Sequence, residues 1–285
     1  MSLIKSTLAL LILLLACGSP MRTQTLSIEL DKTSYVEGES VCLVISLENN
    51  TSQNIFYNDF SLETHEIQLT VFRPDGKKVP YMGATNNTIN PIQHTLLPNG
   101  KVSTGVDIDG YFPTFTDSHY MYRKLLPGKY TVQAQFAFGK SYIQSNELKF
   151  EVESPTGKVK EALTELERVY VWENYFSLDS AKVLRVYENY VNKHGDSPYA
   201  PVILNEIAWT YRKAKDSSRA LEAYRKLVSE YPSHGLALVA LQSEYLPPTL
   251  KQILVKEIMS KQPTSRSAKT VPNLHGVKEL NPNGR

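Results

Sequence analysis

The spacing of apolar residues changes once along this chain, at residues 154–157, and this change constrains the fold more than any other feature. Before it, apolar and polar residues alternate in short runs separated by turn sequences such as Pro127-Gly128. After it, apolar residues recur every three or four positions, as at Val159, Leu163 and Leu166. The first period is typical of half-buried strands and the second of amphipathic helices. The sequence therefore predicts a β part followed by an α part.

Residues 25–153 carry the alternating runs, and several such runs with turns between them predict an antiparallel β-sandwich. The apolar positions of the clearest runs are Leu26, Ile28, Leu30, Val41, Leu43, Ile45, Leu47, Tyr130, Val132, Ala134 and Phe136. The segment 125–132, in which a Pro-Gly turn precedes Tyr130 and Val132, resembles the late hairpin of bacterial immunoglobulin-like domains. The segment 47–51 resembles the end of an early strand in the same domains. This resemblance implies a fold and no activity.

Residues 156–260 show the helical period, which is sharpest between residues 201 and 232. One face of the first helix there carries Leu204, Ile207, Ala208 and Tyr211, and the facing side of the second carries Ala220, Tyr224 and Leu227. Small residues allow two helices to approach closely, and Asp216 is placed to cap the second helix. This pattern resembles a tetratricopeptide repeat, a helix-turn-helix unit of about 34 residues. The resemblance implies a short array of stacked repeats that binds protein segments in a groove.

The fold class predicted from these patterns is a two-domain chain, all-β followed by all-α. An immunoglobulin-like β-sandwich at residues 25–153 precedes a tetratricopeptide-like helical array at residues 156–260. The polar segment 261–285, which contains three prolines, predicts a disordered basic tail. A basic tether to lipid head groups is the alternative interpretation of this tail.

The N-terminus carries Lys5 and an apolar run over residues 8–16, which is the pattern of an export signal too short to span a membrane. Cys17 follows Leu14, Leu15 and Ala16, and this stretch resembles the lipobox of bacterial lipoproteins. The resemblance implies a signal peptide at residues 1–16, a lipid on Cys17 and a tether at residues 17–24. It also implies a bacterial envelope location, the outer membrane being favoured over the inner. An ordinary secretory signal cleaved nearby is the alternative.

The sequence shows no pattern typical of catalysis. The six histidines have no metal-ligand spacing, and neither a nucleophile elbow nor a glycine-rich phosphate loop is present. Asp107-x-Asp109-Gly110 supplies only a fragment of a calcium loop. Cys42 lies between apolar residues and is predicted to be a buried hydrophobe. A net charge of +2 gives no case for nucleic acid. We therefore predict no enzyme, no cofactor, no metal and no nucleic-acid partner.

The predicted partners are the membrane, through the lipid on Cys17, and a protein or peptide bound by the helical array. The candidate binding residues are Asn205, Trp209 and Arg212, which share a stripe of one helix outside its packing positions. The alternative to a binding role is that Trp209 packs against a neighbouring helix and that Arg212 is simply solvated. Two other functions stay open: a proteinase-inhibitor-like regulator that uses the irregular loop 107–122, and a polysaccharide-binding accessory protein that uses exposed aromatic residues.

Overall fold

The structure is a computed structural model that describes residues 23–62, 64–83, 93–113, 115–116, 123–139, 141–171, 179–242, 246–261 and 263–274. The predicted signal peptide and Cys17 lie outside these residues. The strands are β1 (Gln24–Leu30), β2 (Ser34–Val36), β3 (Cys42–Asn49), β4 (Ile55–Tyr57), β5 (Ile67–Phe72), β6 (His94–Leu96), β7 (Lys101–Asp107), β8 (Phe115–Thr116), β9 (Arg123–Lys124), β10 (Gly128–Phe138) and β11 (Ser141–Glu153). The helices are α1 (Ile108–Tyr111), α2 (Gly157–Val171), α3 (Ser180–His194), α4 (Ala200–Lys213), α5 (Ser217–Glu230), α6 (Leu236–Gln242), α7 (Pro248–Lys261) and α8 (Arg266–Thr270), followed by a 3₁₀ turn at Val271–Asn273.

The strands form two larger sheets and two small ones. The order is β1-β3-β7 in a three-stranded sheet and β2-β11-β10-β5 in a four-stranded sheet. The pairs β4-β6 and β8-β9 stand apart from both. Alternate residues of the two larger sheets, such as Ile28, Ile45, Val132 and Phe136, meet in one buried apolar cluster. Burial of this shared face drives the two sheets together.

Two helices of the helical part are capped by aspartate side chains. Asp179 caps α3 by accepting hydrogen bonds from the backbone N–H groups of Ala181 and Lys182. Asp216 caps α5 by accepting one from the N–H of Arg219, at 3.1 Å, as predicted. Ala208 and Ala220, 0% and 2% exposed, are the small residues of α4 and α5. The predicted helix-turn-helix unit is therefore present.

The prediction of separate all-β and all-α domains is wrong. The chain is a mixed α/β structure, in which strands make up 29% of the described residues and are divided among several small sheets. The interpretation as a purely antiparallel sandwich also fails, because β2 pairs with β11 in parallel, with Tyr35 opposite Val152. The helices do not form a separate array: their apolar cluster includes Cys42 and Val44 of β3. The boundaries at residues 153 and 156 remain predictions.

The double burial of β3 explains the error. Leu43, Ile45 and Leu47 face the other sheet, and the intervening Cys42 and Val44 face the helices. Cys42 through Leu47 are all buried, which is the pattern of a strand covered on both faces. The sequence did indicate this second buried face, because Cys42 and Val44 are apolar. The regular alternation of Leu43, Ile45 and Leu47 suggested a strand with only one buried face.

Polar contacts also join the two parts. The Lys124 ammonium, 9% exposed, forms ion pairs with Glu37 at 2.6 Å and with Glu167 of α2 at 2.7 Å. The Gln242 side chain of α6 accepts a hydrogen bond from the Gly105 N–H at 2.5 Å and donates one to the Thr104 hydroxyl at 2.7 Å. Buried charges need such paired partners, and these contacts define how the helices sit on the sheet.

The segment predicted to be a disordered tail is partly ordered. Residues 263–274 contain α8 and the 3₁₀ turn, and Ala268, Val271 and Leu274 are buried against the helical cluster. The Ser265 side chain caps α8 at the N–H of Ala268. This correction arises because three apolar residues at helical spacing cover the cluster. Residues 275–285 lie outside the described residues.

Candidate partner-binding site

Helix α4 carries all three candidate residues and presents them on one face. Asn205 and Trp209 are four residues apart, and Arg212 follows three residues later, so their side chains lie one above another. Trp209 is 38% exposed, and Asn205 and Arg212 are half-buried. We call these three residues the α4 stripe. The structure thus brings together the residues that the helical period predicted to share a face.

The Trp209 ring is held by a neighbouring cation. The Lys213 ammonium lies over the ring, 3.4 Å from its centroid, at the spacing of one helical turn. A cation above an indole is attracted by the negative face of the ring, and the contact contributes about 0.5–1 kcal/mol at an exposed position. The lysine covers part of one ring face. The pair presents an apolar surface next to a positive charge, which suits a partner that carries a carboxylate.

Arg212 makes a contact with α5 that was not predicted from the sequence. Its guanidinium hydrogen-bonds the Tyr224 hydroxyl of α5, and Tyr224 is 2% exposed. Burial raises the pKa of Tyr224, which keeps the phenol neutral. The contact restricts the orientation of the guanidinium, so that less side-chain entropy is lost when Arg212 meets a partner.

A separate groove lies between α3, α4 and α5, on the α4 face next to the stripe. The cavity has a volume of about 340 Å³. Its apolar lining is Val191, Leu204, Ile207 and Ala223, and its polar lining is Glu188, Asn192, Tyr211, Arg219, Glu222 and Lys226. The Tyr211 hydroxyl donates a hydrogen bond to Glu188 at 2.8 Å across the groove. Sequence analysis missed this groove because three helices must pack before it exists.

Two carboxyl groups, Asp107 and Asp109, meet at the end of β7, and the charge of Asp107 also acts on Glu206 of α4. Asp109 accepts a hydrogen bond from the Val41 N–H at 2.8 Å and shares another with Asp107. Burial, and the neighbouring Asp107, raise the pKa of Asp109 well above its usual range. Burial raises the pKa of Glu206 to about 7, and the charge of Asp107 adds to the effect while Lys213 opposes it. The Asp107-x-Asp109 motif, which matches only a fragment of a calcium loop, is therefore turned into the protein, and Asp109 is bonded to its backbone.

Glu206→Gln is expected to flatten the pH dependence of stability. The pKa of this acid is raised from 4.5 to about 7 in the folded chain, so the stability it contributes is complete below pH 4.5 and is lost as the pH rises to 7. Urea midpoints should therefore fall less across this window in the variant than in the unsubstituted protein. Asp107 and Asp109 keep their own contribution in both. Glu222→Gln, at an exposed position of α5, is the control, and identical slopes in both variants would contradict the assignment.

The described residues hold no cluster of three or more His, Cys, Asp or Glu side chains arranged for a metal ion. Across the same residues, no helix combines the length and apolar character needed to cross a bilayer. Cys42 is buried, with 1% of its surface exposed, as predicted. Of the irregular loop 107–122, residues 114 and 117–122 lie outside the described part of the chain.

Comparison with known families identifies the strongest helical unit. Residues 206–234 match the family model of the tetratricopeptide repeat. The match covers the second half of α4, all of α5 and the turn that follows. The prediction of a tetratricopeptide-like part is thereby confirmed, and such repeats commonly mediate the binding of protein partners. No curated protein matches the chain.

Two of the solved structures that resemble this chain are similar to it at low scores. A β-glucosidase from Erythrobacter marinus is 11% identical over 46% of this chain, with a TM-score of 0.28. The sporulation control protein Spo0M from Bacillus subtilis is 14% identical over 52% of this chain, with a TM-score of 0.26. The chain spans 15% of the first protein and 56% of the second. At these scores the likenesses carry no argument about fold or activity.

Proposed function

We propose that this protein is a bacterial envelope lipoprotein that captures a protein segment on its helical part and has no enzymatic activity. The tetratricopeptide match at residues 206–234 supports the binding role. The lipobox-like residues that end at Cys17 support the lipid anchor and the envelope location. The observation that carries the proposal is the exposure of Trp209, at 38%, on a helix of the matched repeat.

The α4 stripe has the chemistry to bind an extended peptide. The Asn205 amide donates to and accepts from a peptide backbone, and the Trp209 indole N–H donates to a carbonyl. Arg212 pairs with a carboxylate in a bidentate manner. Lys213 adds a second positive charge beside Trp209. The partner segment is therefore one that carries an acidic residue next to an apolar one.

Trp209→Ala is expected to weaken binding by tenfold or more. Trp and Arg are the residues that most often dominate interface energies, at about 2 kcal/mol or more each. A partner is first recovered from envelope extract with the full-length protein, and its affinity is then measured by calorimetry. Arg212→Ala should weaken binding as well, although it also removes the contact with Tyr224, so circular dichroism must show that both variants are folded.

The matched control for this experiment is Met259→Ala. Met259 is 43% exposed, which is close to the exposure of Trp209, and it lies on α7 instead of α4. Its removal should leave the affinity unchanged. Folded Trp209→Ala and Arg212→Ala variants that bind as tightly as the unsubstituted protein would exclude the α4 stripe as the binding surface.

Cys17→Ser is expected to release the protein from the membrane fraction. A diacylglyceryl group with an added acyl chain anchors stably because each buried methylene contributes about 0.8 kcal/mol. Intact-mass measurement of the unsubstituted protein should show a lipid on an N-terminal Cys17. Cys42→Ser is the control that should keep the protein on the membrane. An unmodified N-terminus at another residue would refute the anchor.

No specific observation favours the inhibitor-like or the polysaccharide-binding alternative. The first part of the irregular loop is fastened to the fold by Asp109, which is 6% exposed and bonded to Val41. A deletion that includes Asp109 would therefore damage the sheet. Replacement of residues 117–119 by glycine and serine is the cleaner test. Loss of binding in that variant, with the α4 stripe intact, would show that the loop binds the partner.

A further inference from the structure

Three exposed apolar side chains stand out in the β part. Phe56, Leu97 and Tyr142 are 58%, 59% and 60% exposed, more than any other large apolar side chain among the described residues. The chain separates them by tens of residues, so only the fold can bring them together. Exposed apolar groups gathered in one place mark interaction surfaces more often than isolated ones do.

Phe56 and Leu97 project from the same face of the small β4-β6 sheet. Phe56 of β4 is opposite Thr95 of β6, and Leu97 comes two residues after Thr95. Residues two apart on a strand point to the same side of the sheet. The burial of Ile55 and Leu96, which each precede one of the exposed residues and point to the opposite side, agrees with this rule. The two exposed side chains are therefore diagonal neighbours.

The exposed face of the β4-β6 sheet lies at the end of the three-stranded β1-β3-β7 sheet where β1 begins. Gln24, the first residue of β1, is opposite Asn49 in β3. The Asn49 amide donates hydrogen bonds to the carbonyl oxygens of Leu96 and Leu97, both at 3.0 Å. Asn49 therefore connects the two places: it is paired with Gln24 at the start of β1, and its side chain holds the backbone at Leu97.

Tyr142 reaches the same end through β11. The Asn146 side chain of β11 bonds both the N–H and the carbonyl of Ile28, and the Glu151 N–H bonds the Thr33 carbonyl. The difference in residue number between β11 and its partner residues is the same at Ile28 and at Thr33, so β11 runs parallel to residues 28–33. Tyr142 is opposite Ala137, next to the β10-β11 turn and beyond a register shift between Gln144 and Glu147, so it lies at the end of β11 that points toward the start of β1. We call Phe56, Leu97 and Tyr142 the apolar tip.

The chain that precedes β1 constrains what can lie next to the apolar tip. Cys17 and Gln24 are separated by seven residues, which span at most about 25 Å when fully extended. A lipid on Cys17 therefore keeps this end of the sheet close to the bilayer. Residues 49–56 and 95–100, which surround Phe56 and Leu97, contain no charged side chain, and the turn next to Tyr142 contains Lys140. Contact with lipid head groups therefore requires no charge around Phe56 and Leu97 to lose its hydration, and a lysine ammonium suits anionic head groups.

We propose that the apolar tip inserts into the head-group region of the bilayer that holds Cys17. The inference rests on the proposed lipid anchor. Tyr favours this depth, because its ring is buried while its hydroxyl stays hydrated, and the Phe and Leu side chains add apolar surface. The helical part contacts β3 and β7 toward their other end, at Cys42 and Gly105. Insertion of the tip therefore holds the α4 stripe away from the lipid.

The test measures the depth of a tryptophan placed at the tip. Lipidated full-length protein is reconstituted into vesicles of phosphatidylethanolamine and phosphatidylglycerol, with bromine on part of the acyl chains near the head group. Phe56→Trp and Tyr142→Trp should lose most of their added emission to the bromine. Leu126→Trp is the control, because Leu126 is 38% exposed and precedes β10 at the opposite end of that strand from the β10-β11 turn. Its added emission should persist.

The outcomes separate this inference from the anchor. Lipidated protein that joins the vesicles, with Phe56→Trp and Tyr142→Trp quenched no more than Leu126→Trp, overturns the apolar tip and leaves the anchor standing. An intact mass without lipid on Cys17, with no vesicle association, overturns both. Emission of Phe56→Trp that changes with protein concentration and not with bromine would assign the tip to a second copy of the chain, which also overturns the inference.

Discussion

Gly235→Ala should destabilise the chain by about 3 kcal/mol or more, which is a large part of the stability of an ordinary domain. A Cβ atom at position 235 would lie 2.0 Å from the Cβ of Cys42 and 3.3 Å from its Cα. Rotation of the Cys42 side chain moves neither atom, so the backbone of β3 or of the α6 start must shift. Overpacking of this kind typically costs about 1–3 kcal/mol where side chains can adjust, and more where they cannot.

Thermal unfolding of the full chain measures the effect, with a midpoint expected to fall by roughly 6–12 °C. Gly110→Ala is the control: a Cβ there comes no closer than 3.5 Å to Asp107, an ordinary contact. Cys42→Gly should partly rescue Gly235→Ala, because it removes the atom that collides. The two effects should therefore be less than additive. Equal midpoints for Gly235→Ala and Gly110→Ala would show that β3 and α6 are not in direct contact.

Ala208→Leu has the second large effect, an expected loss of about 1–3 kcal/mol. Ala208 is 0% exposed on α4, and the helix pair α4-α5 has no space there for three more carbon atoms. The larger side chain would force the helices of the repeat apart. The measurement belongs on the full chain, because the helical cluster includes Cys42 and Val44 and would be uncovered in an isolated fragment.

Ala214→Leu is the matched control for this helix contact. Ala214 follows α4 at its C-terminal end and is exposed, so the added atoms extend into water. Its midpoint should stay within the small range typical of surface substitutions, about 0.5 kcal/mol. Equal losses for the two substitutions would place Ala208 outside the helix contact and would contradict the packing of the repeat.

Sequence reasoning identified the repeat because its signals are local. The 3.6-residue period, the small Ala208 and Ala220 and the cap at Asp216 all lie within one stretch, and each can be read without knowledge of the rest of the chain. The α4 stripe was predicted for the same reason, since one regular helix determines which residues share a face. The contact between Arg212 and Tyr224 and the groove above α4 depend on helix packing, so they were not predicted.

The relation between the two parts could not be predicted from periodicity alone. The parallel pairing of β2 with β11 joins residues more than one hundred positions apart, such as Tyr35 and Val152. Nothing local specifies such a pairing. Cys42 and Val44 did carry a signal, since a strand with apolar residues at successive positions is covered on both sides. The prediction counted only one face of β3 and therefore separated two parts that share this strand.

The contact between Gly235 and Cys42 makes the thiol a reporter of opening. Cys42 is 1% exposed, and the start of α6 covers it. A thiol reagent can reach the sulfur only when the helices lift from β3. The rate of labelling, compared with that of an unfolded peptide, thus gives the free energy of this local separation. If labelling requires the same energy as global unfolding, the two parts unfold as one cooperative unit; faster labelling would reveal a hinge between them.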